Sequence, residues 1–311
     1  MGKIGIVFPG QASQYVGMGQ DLYEASDEVR NLYKIASDEI GEDIARLSFE
    51  GPAEKLKETR FTQPTILVHS LAVLTIMKDK LPKADLTAGH SLGEYGSLAL
   101  AGVLSFEEAI KAVVKRSSLM ETSCRENPST MAAIIGLDEN KIIEICKAAS
   151  ETGVVVPANY NSANQIVISG SNQAVEKACQ FCKEAGAKRA MILPVGGAFH
   201  SPLMESAKIG MKEYLDSIGF QQPTIDIVPN VTGEAESQAD NLKELLVEQI
   251  TAPVKWYHTM QYFQTSGIGT FIEVGPGKVL AGLAKRELPE AQIFNIDKLT
   301  DIENFDFVSV G

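Results

Sequence analysis

Three side chains, far apart in the chain, define the chemistry open to this sequence. Ser91 stands at the centre of Gly89-His90-Ser91-Leu92-Gly93, a G-x-S-x-G pattern. A short strand is expected around Asp85–Ala88 before it, and a helix running to about Ala101 after it. A sharp strand-to-helix turn pushes a serine hydroxyl out of the sheet, and a glycine on each side lets the neighbouring backbone pass. The helix turns its amide end toward negative charge developing on an attacked carbonyl, and the Leu92 amide is the natural first donor to that oxyanion. Such a serine forms acyl esters when a base takes its proton.

The chain has four histidines, so the base can be sought by elimination. His90 precedes the nucleophile on the strand side, and its ring should leave the turn in another direction. His69 lies in a helical run among Leu67, Val68 and Leu71, where a packed histidine is the default. His258 follows Trp256 and Tyr257 on a short amphipathic helix and reads as structural too. His200 sits in the glycine-rich loop Gly196-Gly-Ala-Phe-His-Ser-Pro202, and an imidazole on a scaffolded loop is the better base. It would take the Ser91 proton and later return one to a leaving thiol. No acid stands out to orient it, so a Ser–His dyad and a triad both stay open.

The third residue is Arg116. Ser105-Phe-Glu-Glu108 signals a helix start, and Ala109, Ala112, Val113, Arg116 and Met120 then share one apolar face. A guanidinium on that face is costly to bury without an anion. It is either an internal salt-bridge or snorkelling residue, or a bidentate clamp for a substrate carboxylate. A simple esterase has no need of the clamp, whereas a carboxylated acyl group does.

The elements that must hold these residues alternate between strand and helix. IGIVFPG opens as a buried strand, a long helix follows Pro64, and TFIEVG leads through a Gly-Pro-Gly turn into a last helix. That alternation predicts a mostly parallel, helix-covered sheet. Residues 128–195 have another rhythm, β-α-β-β-α-β, the split unit of a ferredoxin-like fold. They are expected to form an insertion in a discontinuous catalytic body of residues 1–127 and 196–311.

The remaining signals mostly exclude. A net charge of −12 on 311 residues argues against nucleic acid or an anionic membrane as partner. The Cys179–Cys182 pair lies in a helical pattern with no second pair to complete a zinc site, so the four cysteines read as reduced thiols in a cytoplasmic protein. The opening apolar run is too short for a signal peptide, and Ile66–Met77, interrupted by His69, is too short to span a membrane. Gly275-Pro-Gly-Lys278 lacks the spacing and the hydroxyl of a phosphate loop. Asn159, Asn161 and Gln165 are expected to satisfy backbone groups at a strand turn, and Lys183, Lys188, Arg189, Lys285 and Arg286 are candidates for docking an acidic partner or phosphates.

Seven segments carry a resemblance: FPGQASQ, GHSLGEY, KRSSLM, NYNSANQ, GAFHSPLM, VEQITAPVKW and EVGPGKVL, in order along nearly the whole chain. In these the chain resembles the bacterial malonyl-CoA:acyl carrier protein transacylases. The resemblance implies an α/β-hydrolase-like subdomain with an inserted ferredoxin-like one. It implies transfer of malonyl from coenzyme A to acyl carrier protein by a ping-pong route through Ser91, with His200 as base and Arg116 on the malonyl carboxylate. It further implies backbone amides of Gln11 and Leu92 as the oxyanion hole, and the main-chain carbonyl of Gln249 as the group that orients His200. Phe199 and Met120 are the expected acyl-selecting side chains, because Phe before the active histidine goes with malonyl and Ser there with methylmalonyl in related domains. No cofactor or metal is expected, and the protein is expected to be a monomer. Where the family commonly has FPGQG, this chain has Ala12, which costs on the order of 1 kcal/mol if that position needs a positive φ. The other classes to weigh are a hydrolase using the same dyad, a non-catalytic carrier-binding module, and a transferase serving polyketide assembly.

Overall fold

The computed structural model describes residues 2–307. Among the described residues nine strands form two sheets. β1 (Lys3–Phe8), β2 (Leu86–Gly89), β7 (Asp226–Ile227), β8 (Ile268–Val274) and β9 (Gln292–Ile296) make a five-stranded sheet in the order β7-β2-β1-β8-β9, every neighbour parallel. A parallel sheet needs helices on both faces, so its strands read as apolar runs. Ile6, Val7 and Phe8 of β1 are fully buried, as are Phe271, Ile272 and Val274 of β8. β9 was not anticipated, since its alternation is weak, and the stretch IDIVPN contributes only the two residues of β7.

β3 (Ser129–Ile135), β4 (Val155–Ser162), β5 (Gln165–Ser171) and β6 (Arg189–Ile192) form a second sheet, wholly antiparallel, in the order β4-β5-β3-β6. With the helices Glu139–Ala149 and Asn172–Glu184 this is the expected βαββαβ unit. Side chains alternate across its strands. Ala132, Ile134, Tyr160, Ile166 and Ile168 join a core under the two helices. Met131, Ala133, Asn159, Asn161, Gln165 and Val167, on the other face, line a cavity shared with the larger sheet.

Two long helices support that cavity from the larger body. Thr59–Met77 is buried along almost its whole length. It begins ahead of Pro64 rather than after it, which corrects the expectation from sequence. Proline inside a helix leaves the carbonyl four residues earlier without its amide. Here that carbonyl belongs to Arg60, and it accepts from the Ser117 hydroxyl at 3.3 Å. Phe106–Glu126 starts at the foreseen capping box: Ser105 Oγ accepts from the Glu108 amide at 3.2 Å and Glu108 Oε2 accepts from the Ser105 amide at 2.8 Å. Its face of Ala109, Ala112, Val113, Arg116 and Met120 is buried throughout. Among the described residues no helix is long and apolar enough to cross a membrane.

Candidate active site

The carboxyl ends of the parallel strands, where crevices open in such sheets, carry the reactive groups. β2 ends at Gly89 and turns through Ser91–Gly93, one 3₁₀ turn, into the helix Glu94–Leu100. The glycines of the elbow are obligatory. A Cβ on Gly89 would lie 2.0 Å from the Gly93 carbonyl oxygen, and one on Gly93 would lie 2.2 Å from that of Phe8. Ser91 itself has φ of 53°, a left-handed conformation held from outside the turn. Asn230, in the loop after β7, provides the clasp: its Oδ1 accepts from the Ser91 amide at 2.7 Å and its Nδ2 donates to the Gly89 carbonyl at 2.6 Å.

His200 meets this serine. Its Nε2 lies 2.8 Å from Ser91 Oγ, and its Nδ1 lies 2.8 Å from the main-chain carbonyl oxygen of Gln249. A carbonyl oxygen only accepts, so Nδ1 carries the proton and Nε2 presents its lone pair to the serine hydroxyl. Burial, and then the nearby Arg116 charge, lower the His200 pKa to about 3, which keeps the ring neutral as a base must be. The third group, which the residues alone left open, is thus the Gln249 backbone carbonyl that the resemblance implied, a group no residue type announces. The His90 ring turns aside, as expected, and donates from Nε2 to Asn161 Oδ1 at 2.9 Å. Asn161 therefore serves the site and not a strand turn, and Asn159 and Gln165 line the cavity with it. The NYN alternation in β4, with Tyr160 in the core, was the signal for this.

Arg116 is fully buried. Its Nη2 donates to Ser91 Oγ at 2.9 Å and to Gln249 Oε1 at 2.9 Å, and its Nη1 donates to Gln63 Oε1 at 2.6 Å. Since the guanidinium donates to Ser91 Oγ, the hydroxyl proton is left to point at His200. Among the described residues no carboxylate forms an ion pair with Arg116, which removes the internal salt-bridge reading. Gln63, one residue before Pro64, and the side chains of Asn230, Gln249 and Glu94 are site residues that sequence reasoning missed. Glu94 is the one with a legible signal, an acid three residues after the nucleophile.

Ser91 and His200 open on a cavity of about 280 Å³, lined also by Gln11, Ala12, Gln63, Leu92, Met120 and Phe199. Ala12 has φ of 81° and His200 φ of 57°. With Ser91 they are the non-glycine residues at positive φ among those described, and all three face this cavity. The Ala12 position does require the left-handed conformation. Among the described residues no cluster of three or more His, Cys, Asp or Glu side chains is arranged to hold a metal ion.

The acyl transferase domain model matches residues 6–300. The chain is 43% identical over 310 residues to malonyl CoA-acyl carrier protein transacylase of Haemophilus influenzae, covering 99% of this chain and 98% of that one. Its fold is similar to the crystal structure of an acyl carrier protein S-malonyltransferase from Vibrio cholerae, with a TM-score of 0.92, 39% identity, and coverage of 97% of this chain and 99% of the other. It is equally similar, at a TM-score of 0.92 and 38% identity over 97% of this chain and 98% of that one, to a malonyl-transacylase solved in complex with its type II polyketide acyl-carrier protein. With this coverage and the geometry of the cavity, the chain belongs to the malonyl CoA-acyl carrier protein transacylases of the acyl transferase family.

Proposed function

We propose that this protein moves a malonyl group from coenzyme A to the phosphopantetheine thiol of acyl carrier protein, through a malonyl ester on Ser91, in fatty-acid biosynthesis. The observation that carries the reading is Arg116, a fully buried cation that touches the nucleophile's oxygen and has no carboxylate partner among the described residues. Such a charge favours an anion on the acyl chain, and the free carboxylate of a malonyl group is a matched bidentate partner. The names of the relatives support the same substrate and acceptor.

In the first half-reaction Ser91 Oγ attacks the thioester carbonyl as its proton passes to His200 Nε2. We assign the oxyanion to the backbone amides of Gln11 and Leu92, both at the cavity wall. Collapse breaks the C–S bond, and the departing coenzyme A thiolate takes the proton from His200. In the second half the phosphopantetheine thiol gives its proton to His200, its sulfur attacks the ester carbonyl, and Ser91 leaves with the proton restored. The Gln249 carbonyl keeps the ring in the required tautomer throughout. Phe199 and Met120 bound the acyl space, and the bulk of Phe199 disfavours an α-methyl branch by about 1–3 kcal/mol.

Residues 128–195 are assigned to an inserted lobe and residues 1–127 with 196–311 to the catalytic body. We read the protein as a cytoplasmic monomer. The four cysteines are free thiols, which suits a reducing compartment. The likeness to a transacylase bound to a polyketide carrier favours, as a second reading, service to such a carrier by the same chemistry.

Incubation with malonyl-CoA followed by intact mass measurement should add one malonyl group, located on Ser91; no gain would defeat the proposal. Arg116→Ala should lower malonyl transfer roughly 10²-fold while acetyl transfer is kept or rises. An equal collapse for both acyl groups would make Arg116 a structural residue.

A further inference from the structure

Glu94 is buried at the first position of the helix Glu94–Leu100. Its Oε2 accepts from the Asn230 amide at 3.0 Å and from Gln249 Nε2 at 3.0 Å. Gln249 Nε2 also donates to the Ser91 carbonyl at 2.9 Å, while the other end of the same amide, Oε1, accepts from Arg116 Nη2 at 2.9 Å. A carboxamide has one accepting and one donating end. Only one orientation meets an acceptor on one side and a guanidinium on the other. Flipped, Gln249 would set an N–H₂ against the guanidinium and an oxygen against the carboxylate.

We propose that Glu94 is a positioning residue for acyl selection: it fixes the Gln249 side-chain amide, and that amide aims Arg116 at the acyl carboxylate. The inference rests on the reading of Arg116 as the carboxylate clamp. Three elements meet at this one oxygen: the elbow helix, the loop after β7, and the residue following the helix Ala239–Glu248. The same contact steadies the Asn230 backbone, whose side chain clasps the elbow. Gln63 holds only Nη1 of the guanidinium, so Gln249 is the side chain that places Nη2 beside the nucleophile. Burial raises the Glu94 carboxyl to about 7, against the opposing pull of its hydrogen bonds and of Arg116. Oε2 accepts in both ionisation forms when the proton resides on Oε1, so orientation and not charge is the proposed contribution.

The test measures kcat/KM for malonyl-CoA and acetyl-CoA, with phosphopantetheinylated acyl carrier protein as acceptor, in Glu94→Leu, Glu94→Gln, Gln249→Leu, Glu94→Leu/Gln249→Leu and Arg116→Ala. Glu94→Leu should lower the malonyl-to-acetyl ratio about tenfold or more, since it takes the carboxylate acceptor from one N–H of the Gln249 amide and leaves the Ser91 carbonyl as its remaining close acceptor. Glu94→Gln should stay within about threefold of wild type, because its carbonyl accepts the same two bonds. On the Gln249→Leu background, which retains the main-chain carbonyl, Glu94→Leu should change the ratio by less than about twofold. Equal losses for both acyl groups in Glu94→Leu, a Glu94→Gln as impaired as Glu94→Leu, or multiplying effects in the double variant would each overturn the proposal. Should Glu94→Leu fail to fold, an unchanged ratio in Gln249→Leu overturns it alone. An unchanged ratio in Arg116→Ala sinks the carboxylate reading itself. A changed ratio there, with Glu94→Leu and Gln249→Leu unaffected, sinks only this inference.

Discussion

Two regions of this protein, the core of the smaller sheet and the carboxyl edge of the larger one, are built from opposite materials. Between the antiparallel sheet and its helices lie Ala132, Ile134, Ile142, Ile166, Ile168 and Val175, an apolar core. At the carboxyl edge of the parallel sheet lie Gln63, Glu94, Arg116, His200, Asn230 and Gln249, polar or charged and all buried. The first region depends on shape and volume, which many apolar side chains supply. The second depends on the direction of each donor and acceptor, where one wrong partner leaves a buried group unpaired at about 1–3 kcal/mol. Positive φ at Ala12, Ser91 and His200 belongs to the second region as well. Strain gathers where chemistry is done, because the surrounding bonds are strong enough to hold it.

Ile168→Ala probes the sharpest form of this contrast. The side chain is completely buried in the smaller core, so chemical denaturation should show a loss of about 2–5 kcal/mol. The malonyl-to-acetyl ratio of the folded fraction should not move. A shifted ratio would mean that the antiparallel sheet does more than support the cavity wall.

A pH profile tests the polar region alone. Base strength requires neutral His200, whose pKa burial lowers from an ordinary 6.5 to about 3. The acylation rate, followed as coenzyme A release, should therefore show no inflection near 6.5. An unperturbed histidine would lose about tenfold by one unit below its pKa. The same shift makes stability pH-dependent: below 6.5 the unfolded chain binds the proton first, so this contribution is lost as pH falls toward 3. Glu94 runs the other way. Its carboxyl is raised from 4.5 to about 7, so its contribution is full below 4.5 and lost as pH rises through 7.

The smallest expected effect is a gain. Ala12→Gly relieves a side chain held at φ of 81° and should raise stability by about 1 kcal/mol in thermal unfolding. A loss would show that the strained loop is held by contacts of the Ala12 methyl.

Much of the site was legible before folding was considered, by reasons that differ from residue to residue. Ser91 was marked by its glycines, whose neighbours lie too close for any Cβ. His200 emerged by elimination among four histidines, and Arg116 by standing on an apolar stripe. The fold class and the βαββαβ insertion followed from strand–helix rhythm. Gln63, Asn230 and the side chain of Gln249 escaped notice because polar residues near turns and helix ends ordinarily face water. Glu94 lies within GHSLGEY, yet on a helix that is buried almost all round, so no periodicity sets its carboxylate apart.

Local sequence alone determined the elbow, the capped helix that carries Arg116 and the alternating faces of the small sheet, since each depends on sterics or periodicity within a few residues. The tertiary structure decided which groups meet. It chose the Gln249 backbone carbonyl as the partner of His200 Nδ1 and turned the Gln249 amide between Glu94 and Arg116. It also brought a guanidinium to the nucleophile without a carboxylate from the described chain. Hydrogen bonds between segments more than a hundred residues apart, such as Gln249 with Ser91 or Asn230 with Glu94, leave no local pattern, because their geometry exists only once the sheet has assembled.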